Sequence, residues 1–169
     1  VNRATQVEFT LPYYRESPTF LLPGDSEFNT IADLAAVGSE LTISVLQNVG
    51  VVESTHSVIP GSTVDQYPSI ADAIAAMDSG RSDAAAVDLS SGKWFARTEP
   101  GRYKFTEGYN PNSYAASVKP GDQIWLNFCN TVFYEAMAGL NFERYAASFK
   151  NWFGDDLPIP QIGFPAEFR

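Results

Sequence analysis

The sequence predicts an α/β fold, a mostly parallel sheet flanked by helices, and three observations carry that expectation. Short apolar runs at 41–46 and 83–89 read as strands buried in a sheet. Stretches at 30–37, 69–79 and 92–98 space their apolar residues as helices do. The two kinds of segment alternate along the chain, which is the pattern of a parallel sheet covered by helices.

Taken in order, residues 7–22 form two extended runs broken by Pro12 and Pro18, with Tyr13 and Tyr14 between them, and read as a crossing segment. The helix at 30–37 has Thr30 as its cap candidate and Gly38 as its stop. The strand at 41–46 ends in Gln47-Asn48-Val49-Gly50, and a helix is expected from there through Val58. Pro60-Gly61 marks a turn before a short strand at 62–67. In the helix at 69–79, Ser69 stands three residues before Asp72, the spacing of a reciprocal cap, and Gly80 closes it.

The strand at 83–89, the short helix at 92–98 and a strand at 103–107 complete this alternation. After Gly108 the character changes. Tyr109-Asn110-Pro111-Asn112 is loop chemistry, 113–118 is an alternating strand and a second crossing candidate, and 123–138 and 142–153 are aromatic-rich helices separated by Gly139. Gly154 stops the second helix, and the tail with Pro158, Pro160 and Pro165 is expected to run extended along the surface.

Composition narrows the function. Eleven Lys and Arg against 20 Asp and Glu give a formal charge of -9, which repels nucleic-acid phosphates, so no nucleic-acid partner is expected. No run of 18 apolar residues is present to form a spanning helix. The single Cys129 has no partner for an internal disulfide, and Trp125, Leu126, Phe128, Val132 and Phe133 around it suggest a buried helical position. The one histidine, His56, has no cysteine or carboxylate at metal-ligand spacing, and it reads as a surface residue near a helix end. No metal and no cofactor are expected.

The residue with the clearest chemical promise is Asp88, a carboxylate delivered to the tip of the strand at 83–89. Ligands of open α/β sheets sit outside the carboxyl ends of the strands, so Asp88 is a candidate ligand for a cation. Ser90, Ser91 and Gly92 follow it, and an Asp in that place can equally cap the next helix. Both readings stay open on position alone.

Four segments resemble the periplasmic amino-acid-binding proteins of ABC importers, the type II periplasmic binding proteins. They are the stretch from Arg3 to Tyr14, Ile31-Ala32-Asp33-Leu34 followed by 41–46, Gly80-Arg81-Ser82-Asp83-Ala84 through Asp88, and Asn151-Trp152-Phe153-Gly154. Their order and spacing agree with that family over nearly the whole chain. The resemblance implies a second lobe at 16–113, complete, with 1–15 as a first-lobe strand and crossing. Residues 114–169 would then be the return crossing, first-lobe helices and extended tail.

The resemblance also implies a clamp for a polar amino acid or similar small zwitterion. Arg3 would grip the ligand carboxylate, where a planar guanidinium offers paired donors. Asp88 would take the ammonium, and lobe closure would desolvate both. Tyr13 and Tyr14 would line the cleft edge or support the hinge. Where the family carries a hydroxyl after the third strand, this chain has Asn48-Val49-Gly50. Backbone amides at that helix start could still bind an anion, and Asn48 could donate a hydrogen bond.

The chain further departs in lacking most of the N-terminal part of the first lobe, which is expected to be a missing segment of the same protein. The implied role is a periplasmic, non-enzymatic receptor that delivers its ligand to a membrane permease. The alternatives are a ligand-binding sensor domain, or a dehydratase-like enzyme on the same fold.

Overall fold

A computed structural model describes residues 5–137, 139 and 141–157, with Val49 described through its backbone alone. The expected extended tail falls mostly outside these residues, and so does Arg3. The chain divides into two compact units. The central unit is Ser17–Pro111, and the terminal unit is built from the described residues before Ser17 and after Pro111.

In the central unit, β3 (Pro18–Pro23), β4 (Thr42–Leu46), β5 (Thr63–Tyr67), β6 (Ala84–Asp88) and β7 (Tyr103–Phe105) form a five-stranded sheet in the order β5-β4-β6-β3-β7. β4 is parallel to both β5 and β6, while β3 runs antiparallel to β6 and β7. Four strands therefore point one way and β3 opposes them, which bears out the mostly parallel sheet. Ala84, Ala85 and Ala86 lie in a strand despite alanine's helix preference, because burial on both faces decides the matter.

Helices cover both faces. On one side Phe20, Leu22, Ile43, Val45, Ala84 and Ala86 meet Leu34 of α1 (Ile31–Val37) and the flank of α2 (Val49–Val58). On the other, Leu21, Ala85 and Val87 meet Ile74 and Met77 of α3 (Ile70–Asp78) and Phe95 of α4 (Leu89–Thr98). Alternate residues of β3 and β6 thus feed separate cores, as the two-residue period of a strand requires.

The helix ends follow their chemistry. Thr30 and Asp33 cap α1 reciprocally, and hydrogen bonds from the Asn29 and Thr30 amides hold the Asp33 carboxyl below the usual range. Ser69 accepts from the Asp72 amide to start α3. At its end Gly80, with φ 72°, donates to Met77 while Arg81 donates to Ala76. That pair of bonds demands a left-handed residue, which glycine adopts without strain.

Three expectations are corrected. The helix expected from Gly92 begins at Leu89, and Gly92 lies inside it. A Cβ at Gly92 would come 3.0 Å from Thr19 Cγ2 and 3.3 Å from Phe105 Cβ, so glycine there permits close packing of α4 on the sheet. The run at 7–22 yields three strands rather than two, β1 (Glu8–Phe9), β2 (Tyr14–Glu16) and β3. Its return at 113–118 is split into β8 (Asn112–Tyr114) and β9 (Ser117–Val118), which pair with β2 and β1. Pro12, lacking an N–H, interrupts the ladder between them.

The third correction concerns the terminal unit, where α5 (Gln123–Met137) packs against α6 (Phe142–Phe153). Ile124, Trp125, Phe128 and Val132 are exposed along α5, and Cys129 is only half-buried. The expected burial of Cys129 fails because no other described element covers that apolar stripe. Trp152 of α6 is likewise exposed, whereas His56 is a surface residue in the last turn of α2 as expected.

Tyr109 closes the α2 side of the core. Its ring stacks on Phe20 with centroids 4.9 Å apart, and the next residue, Asn110, donates to Ser54 and Ser57 of α2. The buried hydroxyls of Tyr109 and Thr55 have no hydrogen-bond partner. Burial lifts the Tyr109 phenol from 10.0 to about 12.

A phenol harder to ionise when folded stabilises the fold below its unfolded value near 10, and that stability is lost as pH rises through about 12. Tyr109→Phe should therefore melt no earlier than the parent at neutral pH, since the hydroxyl it removes makes no bond. It should also escape about 2 kcal/mol of the loss suffered between pH 9 and pH 12 in urea titrations. An identical alkaline loss in both proteins would refute this account.

Candidate functional site

The strand order creates one place where neighbouring connections part. β4 leaves through α2 to β5 on one side of the sheet, and β6 leaves through α4 towards β7 on the other. Such a parting opens a crevice outside the carboxyl ends of the two strands. Asn48 and Asp88 both stand there: extending the register from Ser44 opposite Ala85 by three residues sets Gln47 level with Asp88. Two of the expected site segments, forty residues apart in sequence, are thereby brought to one edge of the central sheet.

Asp88 occupies the cap position of α4 in extended conformation, φ -68° and ψ 144°, yet its side chain makes no capping hydrogen bond. It is exposed. The first amide of α4, that of Leu89, donates instead to the Ser17 carbonyl at 2.8 Å. Antiparallel pairing of Pro18 with Asp88 places Ser17 there. Asp88 therefore ends a strand and leaves the first amide of the following helix to the Ser17 carbonyl.

Asn48 behaves in the opposite way. Its Oδ1 accepts the Gly50 amide at 2.9 Å, and its carbonyl accepts from Val51 at 3.1 Å and Val52 at 3.2 Å. Three amides at the start of α2, those of Gly50, Val51 and Val52, are thus satisfied by Asn48. Gly50 is exposed, and a Cβ there would meet only Asn48 Oδ1, at 3.4 Å. Of Val49 only its place as the first residue of α2 is described.

The remaining site candidates belong to the terminal unit. Tyr13 stacks on Phe133 with centroids 4.7 Å apart, and Tyr14 is tilted against Tyr114 and Phe149. Both rings are held by that unit's own strands and helices. Arg3 lies outside the described residues.

Thr19 and Thr106 form a buried polar pair in the central sheet. Thr19 Oγ1 donates to the Thr106 carbonyl at 2.7 Å and lies 3.2 Å from Thr106 Oγ1. Glu107 accepts from the Ile31 amide at the start of α1 through both oxygens, at 3.3 Å. Sequence inspection missed Ser17, Thr19 and Thr106, because antiparallel pairing across some seventy residues leaves no local signal. Among the described residues no group of three or more His, Cys, Asp or Glu is placed to hold a metal ion, and no helix is long and apolar enough to cross a membrane.

Solved structures share this architecture. An ancestral amino-acid-binding protein described as a precursor of cyclohexadienyl dehydratase superposes with TM-score 0.73 at 18% identity, over 90% of this chain and 64% of its own. The substrate binding protein of an amino acid ABC transporter gives 0.70 at 22%, over 92% and 67%. A periplasmic binding protein of an arginine third transport system from Legionella pneumophila gives 0.72 at 21%, over 88% and 67%.

The chain has the type II periplasmic-binding-protein fold. It spans about 64% of the length of the first of these structures. No protein-family model matches it, and no curated protein matches it. Within this binding-protein fold, the crevice at the carboxyl edge of the central sheet is the candidate site.

The cap geometry makes a direct prediction. Asn48→Ala removes the acceptor at the start of α2 and should lower stability by about 1 kcal/mol in urea unfolding, the usual cost of losing such a cap. An unchanged unfolding midpoint would show that the bond to Gly50 contributes nothing.

Proposed function

We propose that this chain is the larger part of an extracytoplasmic solute-binding protein that captures a polar amino acid or similar small zwitterion for an ABC permease. The observation that carries the reading is Asp88: a strand-tip carboxylate at the parting of two connections, in a cap position, whose side chain makes no capping hydrogen bond. An acceptor in that position suits a ligand ammonium, which brings three donors and a full charge. Arg3 would supply the guanidinium for the ligand carboxylate, with Tyr13 and Tyr14 supporting the terminal unit's share of the site.

The exposed apolar stripe of α5 supports a further part of the proposal, that a preceding segment of the same protein completes the terminal unit. A receptor is favoured over an enzyme because the solved structures of like fold are described as binding proteins. A sensor domain would use the same site chemistry and differs only in what it is joined to.

The test is isothermal titration of the full-length protein, with the preceding segment present, against a panel of amino acids, repeated with Asp88→Asn. Asp88→Asn keeps the size and removes the charge, and it should weaken binding by about tenfold to a hundredfold while leaving the melting temperature within a few degrees. Equal affinity in parent and variant would remove Asp88 from the site, and no response to any amine-bearing solute would remove the receptor reading.

A further inference from the structure

The sheet holds α2 by less than it holds α3. Ala73, Ile74, Ala76 and Met77 of α3 are buried, whereas among the described residues of α2 only Thr55 is, and Val51, Val52 and Val58 pack on the core half-buried. The Thr55 hydroxyl and that of Tyr109, on the same side of the core, are both buried without a hydrogen-bond partner. Each carries a desolvation cost that water would relieve if the helix lifted.

Strain gathers at the same helix. Asn110 has φ 42°, the only positive value among the described non-glycine residues, a region its Cβ disfavours. Pro111 follows, and a residue before proline is biased towards extended dihedrals at negative φ. What opposes this strain is a pair of bonds to α2: Asn110 Nδ2 donates to Ser54 Oγ at 3.0 Å and to Ser57 Oγ at 2.9 Å. Ser57 Oγ in turn donates to the Ser54 carbonyl at 2.7 Å, which fixes the second acceptor in place.

We propose that α2 is a gate of the central unit, a strap that opens locally while the sheet stays folded, and that Asn110 is its latch. Opening hydrates Thr55 and Tyr109 and lets Asn110 relax to negative φ. Closing recovers two hydrogen bonds and the contacts of three valines. Opposed terms of this size place a helix at the low-stability end of a fold. Since α2 begins beside Asn48, its opening takes away the β4 side of the crevice, whatever solute that crevice accepts. The inference goes beyond the solute-binding reading and stands without it.

The experiment is native-state hydrogen exchange on the full-length protein, read at the α2 amides 53–58 and at Ile43 and Val45 of β4. The α2 amides should exchange faster than those of β4. Ser44→Ala, which removes the bonds to the Ala73 and Ala84 carbonyls, should speed exchange in β4 and leave α2 unchanged, because those bonds persist when only α2 opens. Asn110→Ala keeps the strain and loses the latch, and should speed exchange in α2 about tenfold, the worth of one hydrogen bond. Thr55→Val replaces the unpartnered hydroxyl with a methyl group and should slow it several-fold. The proposal is overturned if α2 exchanges together with β4 in the parent and in Ser44→Ala, if Asn110→Ala leaves the α2 rates unchanged, or if Thr55→Val fails to slow them.

Discussion

The parallel pairing of β4 with β6, two strands whose chains leave in opposite directions, is the constraint on which the central unit depends. It forces α2 and α4 to begin side by side at one edge, and it puts the strand-end residues of both segments at the same crevice. The pairing is itself secured from below by Ser44, whose buried hydroxyl bonds the Ala73 and Ala84 carbonyls at 2.8 Å and 3.1 Å. One polar side chain on β4 thus ties α3 and β6 to the same strand. Because this hydroxyl is buried, losing either partner would leave a desolvated polar group, so the register of the two strands is held tightly.

β3 gives the edge its second property. Running against its neighbours, it brings the residue before its first strand position, Ser17, to the same side as the ends of β6 and β7. A carbonyl there accepts the Leu89 amide, the first donor of α4.

What could be read in the sequence was whatever rests on neighbours within a few residues. Ser69 three before Asp72, Thr30 three before Asp33, and Gly80 at the close of α3 all act as their spacing indicates, since capping is a local exchange of hydrogen bonds. The strand tip at Asp88 and the helix start at Asn48 were visible for the same reason. What escaped notice depends on long-range packing. Gly92 reads as a helix start until Thr19 and Phe105 are found against it, and the apolar residues of α5 read as core although the described residues leave Ile124 and Phe128 exposed. A sequence shows that a face is apolar, and only the fold shows whether anything covers it.

The magnitude of the charge interaction decides how much the central unit can do alone. An ammonium 4 Å from an exposed carboxylate gains about 1 kcal/mol at the dielectric of water and about 4 kcal/mol at an effective value of 20. The first figure is less than a millimolar affinity requires, and the second only reaches it. Asp88 is exposed in the central unit, so its attraction for an amine belongs near the lower figure until water is displaced from around it. Tight binding at this carboxylate would therefore require additional surface that lowers the local dielectric around it.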